Sequence, residues 1–302
     1  MRKLFVLSGF ILLGSLLADR GMVPISLPDV SIYEPGQKAI IGWNGREEVM
    51  ILSTEVYADT SIKVLEILPL PSKPKIEKGD FKAFQKVERL IFKHRPKEMI
   101  AKRGITVPFK EEELFVEVIF KERIGPHSIT VVKAEEGDDL IRWARNFFKD
   151  SPFQFPQRLR PIFERYIQEG KKFFVFDIIE IGKKRKPVEP LIYTFKSKSL
   201  YYPLEISSIV KGSSTIQLYI LSKGIPNLWV DSLPLEFGYY RLSRKRPILF
   251  EIREEEIKGI APQLLKVLNF KPVYLSVLKY RGPLSSLKGD VSIKEFLKPV
   301  RY

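Results

Sequence analysis

The sequence predicts an α+β fold built mostly from antiparallel sheet, with several amphipathic helices. Three observations carry that expectation. Strand-like and helix-like stretches come in blocks, not in the strict alternation of a doubly wound parallel sheet. The β-rich runs are joined by short turn signals such as Asn44-Gly45 and Gly125-Pro126, the connection length that antiparallel neighbours use. The helical stretches each carry one apolar stripe with steps of three and four residues. No internal repeat or low-complexity linker interrupts the body of the chain. Residues 19–302 therefore read as one domain or as two closely packed lobes, 19–170 and 171–302.

The chain begins with Met1-Arg2-Lys3, a cationic start, and continues as a 14-residue apolar run over 4–17 that stops at Ala18, before Asp19-Arg20. That is the three-part layout of a secretory signal peptide. A helix of that length rises about 21 Å, short of the roughly 30 Å hydrocarbon core of a bilayer. Cleavage after Ala18 is expected, with the uncleaved leader acting as an N-terminal tether as the alternative. The protein is accordingly expected outside the cytoplasm, secreted or associated with the cell envelope.

Beyond the leader, 37–43 and 48–57 are β-rich runs joined by Asn44-Gly45, a dipeptide that tolerates positive φ at both central positions of a hairpin turn. A third strand is read at 62–68, ended by Pro69 and Pro71, which remove backbone donors and take the chain out of the sheet. Asp80 then caps a helix reaching His94, with Phe84, Val87 and Ile91 on one face. A second hairpin pairs 114–122 with 128–133 over Gly125-Pro126. Two helices follow. The first opens at Asp138-Asp139 and aligns Leu140, Trp143, Ala144, Phe147 and Phe148; the second runs over 156–169 to Gly170, and Pro161 separates its first turn. Strands are read at 173–181, 190–195, 202–210, 215–221 and 237–242. A helix near 261–268 follows the acidic run Glu254-Glu255-Glu256, then comes a strand at 273–280. Ser292 to Glu295 fits a capping box and predicts a short terminal helix.

Composition narrows the function classes. The chain has no cysteine, which excludes thiol catalysis, thiolate metal sites and a lipid-modified N-terminal cysteine, and leaves an exported protein to stabilise itself without disulfides. It has 32 Lys, 19 Arg and 26 Glu against 10 Asp, 4 Asn and 7 Gln, the Lys/Glu-rich, amide-poor balance of heat-adapted proteins. Without residues 1–18 it carries 49 basic and 36 acidic residues, a basic surface suited to anionic partners. No further uncharged apolar run is long enough to span a bilayer.

The stretch from Gly36 to Ser53 (GQKAIIGWNGREEVMILS), the stretch VLEILPLPS at 64–72 and YPLEISS at 202–208 resemble an exported prokaryotic domain-of-unknown-function family, number 2330. The resemblance implies export and one continuous domain over about 25–282. It transfers no catalytic residue, because the family has no established activity.

Chemistry is sparse. His94 sits at a helix end, where a cation meets the macrodipole favourably, and His127 sits beside a turn; both read as structural or surface residues. Two histidines fall short of a triad or a multi-histidine metal site. No phosphate loop, dinucleotide fingerprint, nucleophile elbow or calcium loop occurs, and Gly212-Ser213-Ser214 is a plain turn. No metal or cofactor is expected. Paired carboxylates remain as a hydrolytic option, with Asp177 the weak catalytic candidate. It shares a strand face with Val175, Ile179 and Ile181, so burial would oblige it to find a partner; the simpler expectation is an edge position or an ion pair with a Lys or Arg. Basic clusters are clearer. Lys183, Lys184, Arg185 and Lys186, and Arg244, Lys245 and Arg246, are placed in hairpin connections, where binding residues concentrate. Tyr239, Tyr240 and Arg241 add aromatic interleaving of the kind single-stranded nucleic acid uses, but export argues against nucleic acid. An anionic envelope surface, an acidic glycan or another envelope protein is the expected partner. The leading functional expectation is a non-enzymatic exported binding or structural module; the alternative is an extracytoplasmic hydrolase using paired carboxylates.

Overall fold

The computed structural model describes residues 22–26, 32–96, 123–151, 155–183, 186–209, 212–228, 235–240 and 243–299. The leader at 1–18, the strand expected at 114–122, and Lys184, Arg185 and Arg241 lie outside them.

In chain order the strands and helices begin with β1 (Val23–Pro24), β2 (Ile32–Trp43), β3 (Glu47–Ala58), β4 (Ile62–Leu70), β5 (Lys75–Lys78) and α1 (Lys82–Lys93). They continue with β6 (Arg123–Ile124), β7 (His127–Lys133), α2 (Gly137–Phe147), α3 (Arg160–Gln168), β8 (Phe173–Ile181), β9 (Lys186–Pro187), β10 (Leu191–Lys196) and β11 (Leu200–Tyr202). The last part holds β12 (Ser213–Ser222), β13 (Ile225–Pro226), β14 (Glu236–Phe237), β15 (Tyr239–Tyr240), β16 (Ser243–Pro247), β17 (Leu249–Ile252), α4 (Glu254–Ile260), α5 (Pro262–Val267), β18 (Val273–Pro283), β19 (Val291–Ile293) and β20 (Phe296–Leu297). The fold is α+β, as the sequence predicts.

A nine-stranded sheet runs β14-β18-β12-β2-β3-β10-β5, with β17 also on β18 and β9 also on β3; a five-stranded sheet runs β1-β4-β8-β7-β6. Among the described pairings only β2 with β12 is parallel. The alternation visible in the sequence sorts the nine-stranded sheet into two faces. Ala39, Ile41, Met50, Leu52, Leu218, Ile220 and Leu278 point to one core, whereas Ile40, Val49, Ile51, Tyr219, Leu221 and Val277 point to the other. Helices α1, α4 and α5 close the second core; Phe84 of α1 lies against Tyr219, and Leu264 and Leu268 crowd Gly42. The first core is shared with the five-stranded sheet. That sheet is covered on its far side by α2 and α3, through Trp143 on Phe176 and Phe163 on Phe174. The result is four layers, helix, sheet, sheet and helix, with β8 buried on both faces.

Local chemistry explains most elements. The hairpin β2–β3 turns at Gly45, whose φ of 97° is the conformation a glycine adopts without a Cβ clash; the Asn44 side chain accepts from the Arg46 and Glu47 amides at 3.0 and 2.9 Å. Asp80 accepts from the Lys82 amide at 2.8 Å and starts α1. Pro161 falls in the first turn of α3, after a separate 3-10 turn, Gln157–Leu159.

Five expectations are corrected. The strand β4 runs through Pro69, opposite Phe174, to Leu70. Among the described residues its pairing with β1 ends at Leu65, so the missing proline donor falls where only β8 lies beside β4, an edge-like position that accommodates proline. The expected strand at 202–210 is the end of β11 followed by a 3-10 turn, Glu205–Ile209; the backbone amides of Leu204 and Glu205 are drawn to Asp290 Oδ1 and cannot join a ladder. The expected strand at 237–242 breaks at Gly238, whose amide bonds Val277 O at 2.7 Å, into β14 and β15. The capping-box pattern at 292–295 makes strands instead. β19 pairs with β11 and Ser199 Oγ meets Ser292 Oγ at 2.9 Å, so a tertiary ladder outweighs a local cap. The acidic run Glu254-Glu255-Glu256, expected ahead of a helix, is itself the first turn of α4, where the macrodipole favours carboxylates; Pro262 then starts α5.

Candidate functional site

Acidic side chains gather between the two sheets. Asp177 lies in β8, which has β4 on one side and β7 on the other, so it is central and not at an edge. It is 2% exposed. Its ladder neighbour on β4 is Glu66, also buried. Directly opposite residues share a face with Cβ atoms about 4.5–5.5 Å apart, which makes Glu66 and Asp177 a carboxylate pair facing the nine-stranded sheet. His127, from β7, completes the group: its Nδ1 is 2.5 Å from Asp177 Oδ2 and its Nε2 is 2.8 Å from the Glu189 carbonyl. A partner of Asp177 is thus a histidine 50 residues away, and the edge position that the sequence suggested is corrected.

The hydrogen-bond pattern fixes the ring's chemistry. A carbonyl only accepts, so Nε2 carries a proton and donates to Glu189. Burial opposes charge on the ring, but the Asp177 hydrogen bond and charge, the Glu189 carbonyl and the Glu66 charge together outweigh it and hold the His127 pKa above its ordinary value. The raised pKa and a hydrogen bond at each nitrogen favour the imidazolium form. With both nitrogens committed, it has none left to activate a nucleophile, which a catalytic histidine requires. The turn that carries it is equally fixed. Gly125 has φ 58°, and a Cβ there would run into the Glu189 carboxylate. The void lined by Glu66, His127, Asp177, Thr54, Glu189 and Tyr193 measures about 10 Å³, the size of roughly one water. A pyranose ring does not fit.

The sign of the pH dependence follows from the direction of the shift. A raised histidine pKa gives stabilisation that is complete below the unfolded value, about 6.5, and is lost as pH rises through the folded value. Thermal melts between pH 6 and 9 are expected to show a falling Tm in the native chain and a flatter profile in His127→Gln; equal slopes would contradict this account. His94 has the opposite sign. Stacked on Phe250 at 4.2 Å, its pKa is lowered chiefly by burial, so its contribution is lost as pH falls below about 6.5. Its ring is held neutral, which corrects the expected cation at the end of α1.

Two further buried carboxyls were not singled out from the sequence. Asp290, just before β19, accepts from Tyr166 Oη at 2.9 Å, Tyr201 Oη at 2.8 Å, Leu204 N at 2.8 Å and Glu205 N at 2.9 Å. Lys171 Nζ lies 4.0 Å away. Burial raises the Asp290 pKa against those donors, and burial beside Asp290 pushes both tyrosine hydroxyls well above their usual range. Glu48, fully buried, accepts from Tyr201 N at 2.6 Å, and burial pushes its pKa well up. The Glu48 signal was present in the alternation of 48, 50 and 52 on one face; Asp290 offered only a Gly-Asp turn pair.

The basic clusters are far apart. Lys183 is exposed and Lys186 lies in β9, on the outer side of β3. Arg244, Lys245 and Arg246 lie within strand β16, not in a hairpin tip, and Arg246 is exposed. β16 pairs with β15 in a separate two-stranded ribbon that follows β14, a neighbour of β18. From β9 to β18 is four strand spacings, about 19 Å, so no small ligand touches both clusters. Of the neighbouring aromatics, Tyr240 is buried and donates to the His94 carbonyl at 3.2 Å, while Tyr239 is exposed.

A family model described as "Uncharacterized protein conserved in bacteria (DUF2330)" matches residues 21–225. The chain belongs to that family. DUF2330 is thus represented here by β1 to β12, and the family description names no activity. No curated protein matches the chain. Two solved structures are similar at 8% identity: baculovirus P35, covering 89% of this chain and 98% of that one with a TM-score of 0.40, and a mutated baculovirus P35 after caspase cleavage, covering 72% and 76% with a TM-score of 0.36. Likenesses at that level carry no inference about activity. Among the described residues no group of His, Asp and Glu is arranged to hold a metal, and no helix is long and apolar enough to cross a membrane.

Proposed function

We propose that this DUF2330 chain is a non-enzymatic exported module of the cell envelope, or secreted, that binds or braces an anionic partner. The observation that supports it best is the tightly filled acid cluster. Glu66 and Asp177 are the carboxylate pair that a hydrolase would need, yet they line a void of about 10 Å³, and His127 beside them has both nitrogens bonded. Their chemistry is that of a framework joining β4, β7 and β8 to the Glu189 segment. The alternative hydrolase reading would require a substrate at that pair.

The partner class follows from charge and its placement. An excess of basic residues, with one cluster beside β9 and the other on the separate β15–β16 ribbon, suits an extended anionic surface better than a compact ligand. Vesicles containing acidic phospholipid are expected to retain the mature chain at about 0.01 M salt, where the Debye length is about 30 Å, and to release it near 1 M, where it is about 3 Å. Lys183→Gln with Arg246→Gln weakens the retention. No binding at low salt, or binding unchanged at high salt, refutes the electrostatic reading. Fractionation of producing cells with mass spectrometry of the N-terminus tests export: a chain beginning at Asp19 outside the cytoplasm is expected, and an intact chain in the cytoplasm contradicts it.

A further inference from the structure

One end of the nine-stranded sheet carries a second concavity that the acid cluster does not involve. It is formed by the β2–β3 turn, the end of β12, the residues ahead of β18, and β20, with a volume of about 330 Å³. Small-ligand sites run from about 300 to 1,000 Å³, so it suits one ring better than a long chain. Trp43, Phe270 and Phe296 supply aromatic wall, Asn44 an amide, and Lys223 and Lys271 two ammonium groups; no carboxylate lines it.

The walls are set in advance. Trp43 Nε1 donates to the Ser197 carbonyl at 3.0 Å and its ring stacks on Phe296 at 5.8 Å. Asn44 Nδ2 donates to the Val267 carbonyl at 3.0 Å. Side chains already fixed lose little freedom on binding. The cations, by contrast, are available: Lys223 is exposed and has no carboxylate partner among the described residues, and Lys271 holds Glu254 at 2.9 Å in an exposed pair that water and ligand readily replace. Aromatic wall favours a ring with an apolar face, two ammonium groups favour an anion, and the volume limits the size.

We propose that this pocket binds a hexuronate unit of an acidic glycan. The site is separate from the basic clusters and stands whether or not they bind a membrane. The test is calorimetric titration of the full mature chain with tetragalacturonate, maltotetraose and oligothymidylate, with nuclear magnetic resonance of the tryptophan indole N–H groups. Tetragalacturonate is expected to bind and to shift the Trp43 indole resonance, maltotetraose to bind at least tenfold more weakly, and Lys223→Gln with Lys271→Gln to weaken the uronate about tenfold or more. Both lysines are exposed, so the variants keep the fold. Lys183→Gln with Arg246→Gln leaves uronate binding unchanged, which separates this site from the vesicle experiment. The proposal is overturned by absent uronate binding, by equal binding of the neutral sugar, by tighter binding of oligothymidylate, or by binding indifferent to the two lysines.

Discussion

Asp177→Asn is expected to destabilise the protein by about 3–5 kcal/mol, the cost of removing one partner from a buried ion pair. The asparagine leaves the His127 imidazolium without its counter-charge, in a place where Asp177 is 2% exposed and the ring is almost as deeply buried. The ring would deprotonate, and beside its bond to Glu189 its bare Nδ1 would keep at most a neutral hydrogen bond from the asparagine amide, in place of the charged one. For a chain of this size each kcal/mol moves Tm by about 2–4 °C, so a drop of roughly 10 °C should appear in thermal melts at pH 6. The exposed control Asp150→Asn should lie within about 0.5 kcal/mol of the native chain. The double variant with His127→Gln should be less destabilised than the sum of the singles, because the two side chains form one unit. A native Tm in Asp177→Asn together with loss of a hydrolytic activity would reverse the reading and make the acid cluster catalytic.

Asp290→Ala is expected to cost about as much, by a different route. It removes one acceptor from four donors at once, two tyrosine hydroxyls and two backbone amides. Each orphaned buried group costs about 1–3 kcal/mol, and the losses overlap, so a total of about 4 kcal/mol is expected. Asp290→Asn retains an acceptor oxygen for the Leu204 and Glu205 amides and should recover about half. Denaturant unfolding of the two variants separates this from a simple loss of charge: equal destabilisation by Ala and Asn would assign the effect to the carboxylate charge and its Lys171 neighbour. Because Asp290 ties α3, β11, the 3-10 turn at 205–209 and β19 together, the m-value should stay constant only if these segments still unfold with the rest.

Much of the architecture was legible in the sequence because its signals are local. Asn44-Gly45 specifies a hairpin from two residues, and period-two alternation through β2 and β3 sorts Ile40 and Ile41 to opposite faces without any knowledge of what lies there. Apolar steps of three and four residues define α1 and α2 in the same way. The misread segments are those where a distant partner supplies the decisive bond. Tyr202 onward has strand-forming composition, but Asp290, more than eighty residues later, captures the amides of Leu204 and Glu205. The capping-box pattern at Ser292 offers a local bond worth about 1 kcal/mol, and the ladder to β11 with the Ser199 contact replaces it. Pro69 continues a strand because, among the described residues, it has a ladder partner on one side alone.

The candidate site divides along the same line. From sequence alone came Asp177 on a face with Val175 and Ile179, and with it the requirement of a partner if that face is buried. Composition by itself excluded thiolate chemistry and dismissed multi-histidine sites. Which residues answer Asp177 was decided only by tertiary structure, since Glu66 and His127 reach it from β4 and β7, and Glu189 holds His127 from the segment before β10. Charge counting gave the basic excess, but the separation of Lys183 and Lys186 from Arg246 depends on strand order across the sheet. Residues a few positions apart meet through backbone geometry that every chain shares, and their pairing can be read directly. Residues fifty or a hundred apart meet only because whole sheets bury their apolar faces together, and that burial brings one imidazolium and several carboxyls into the space between them.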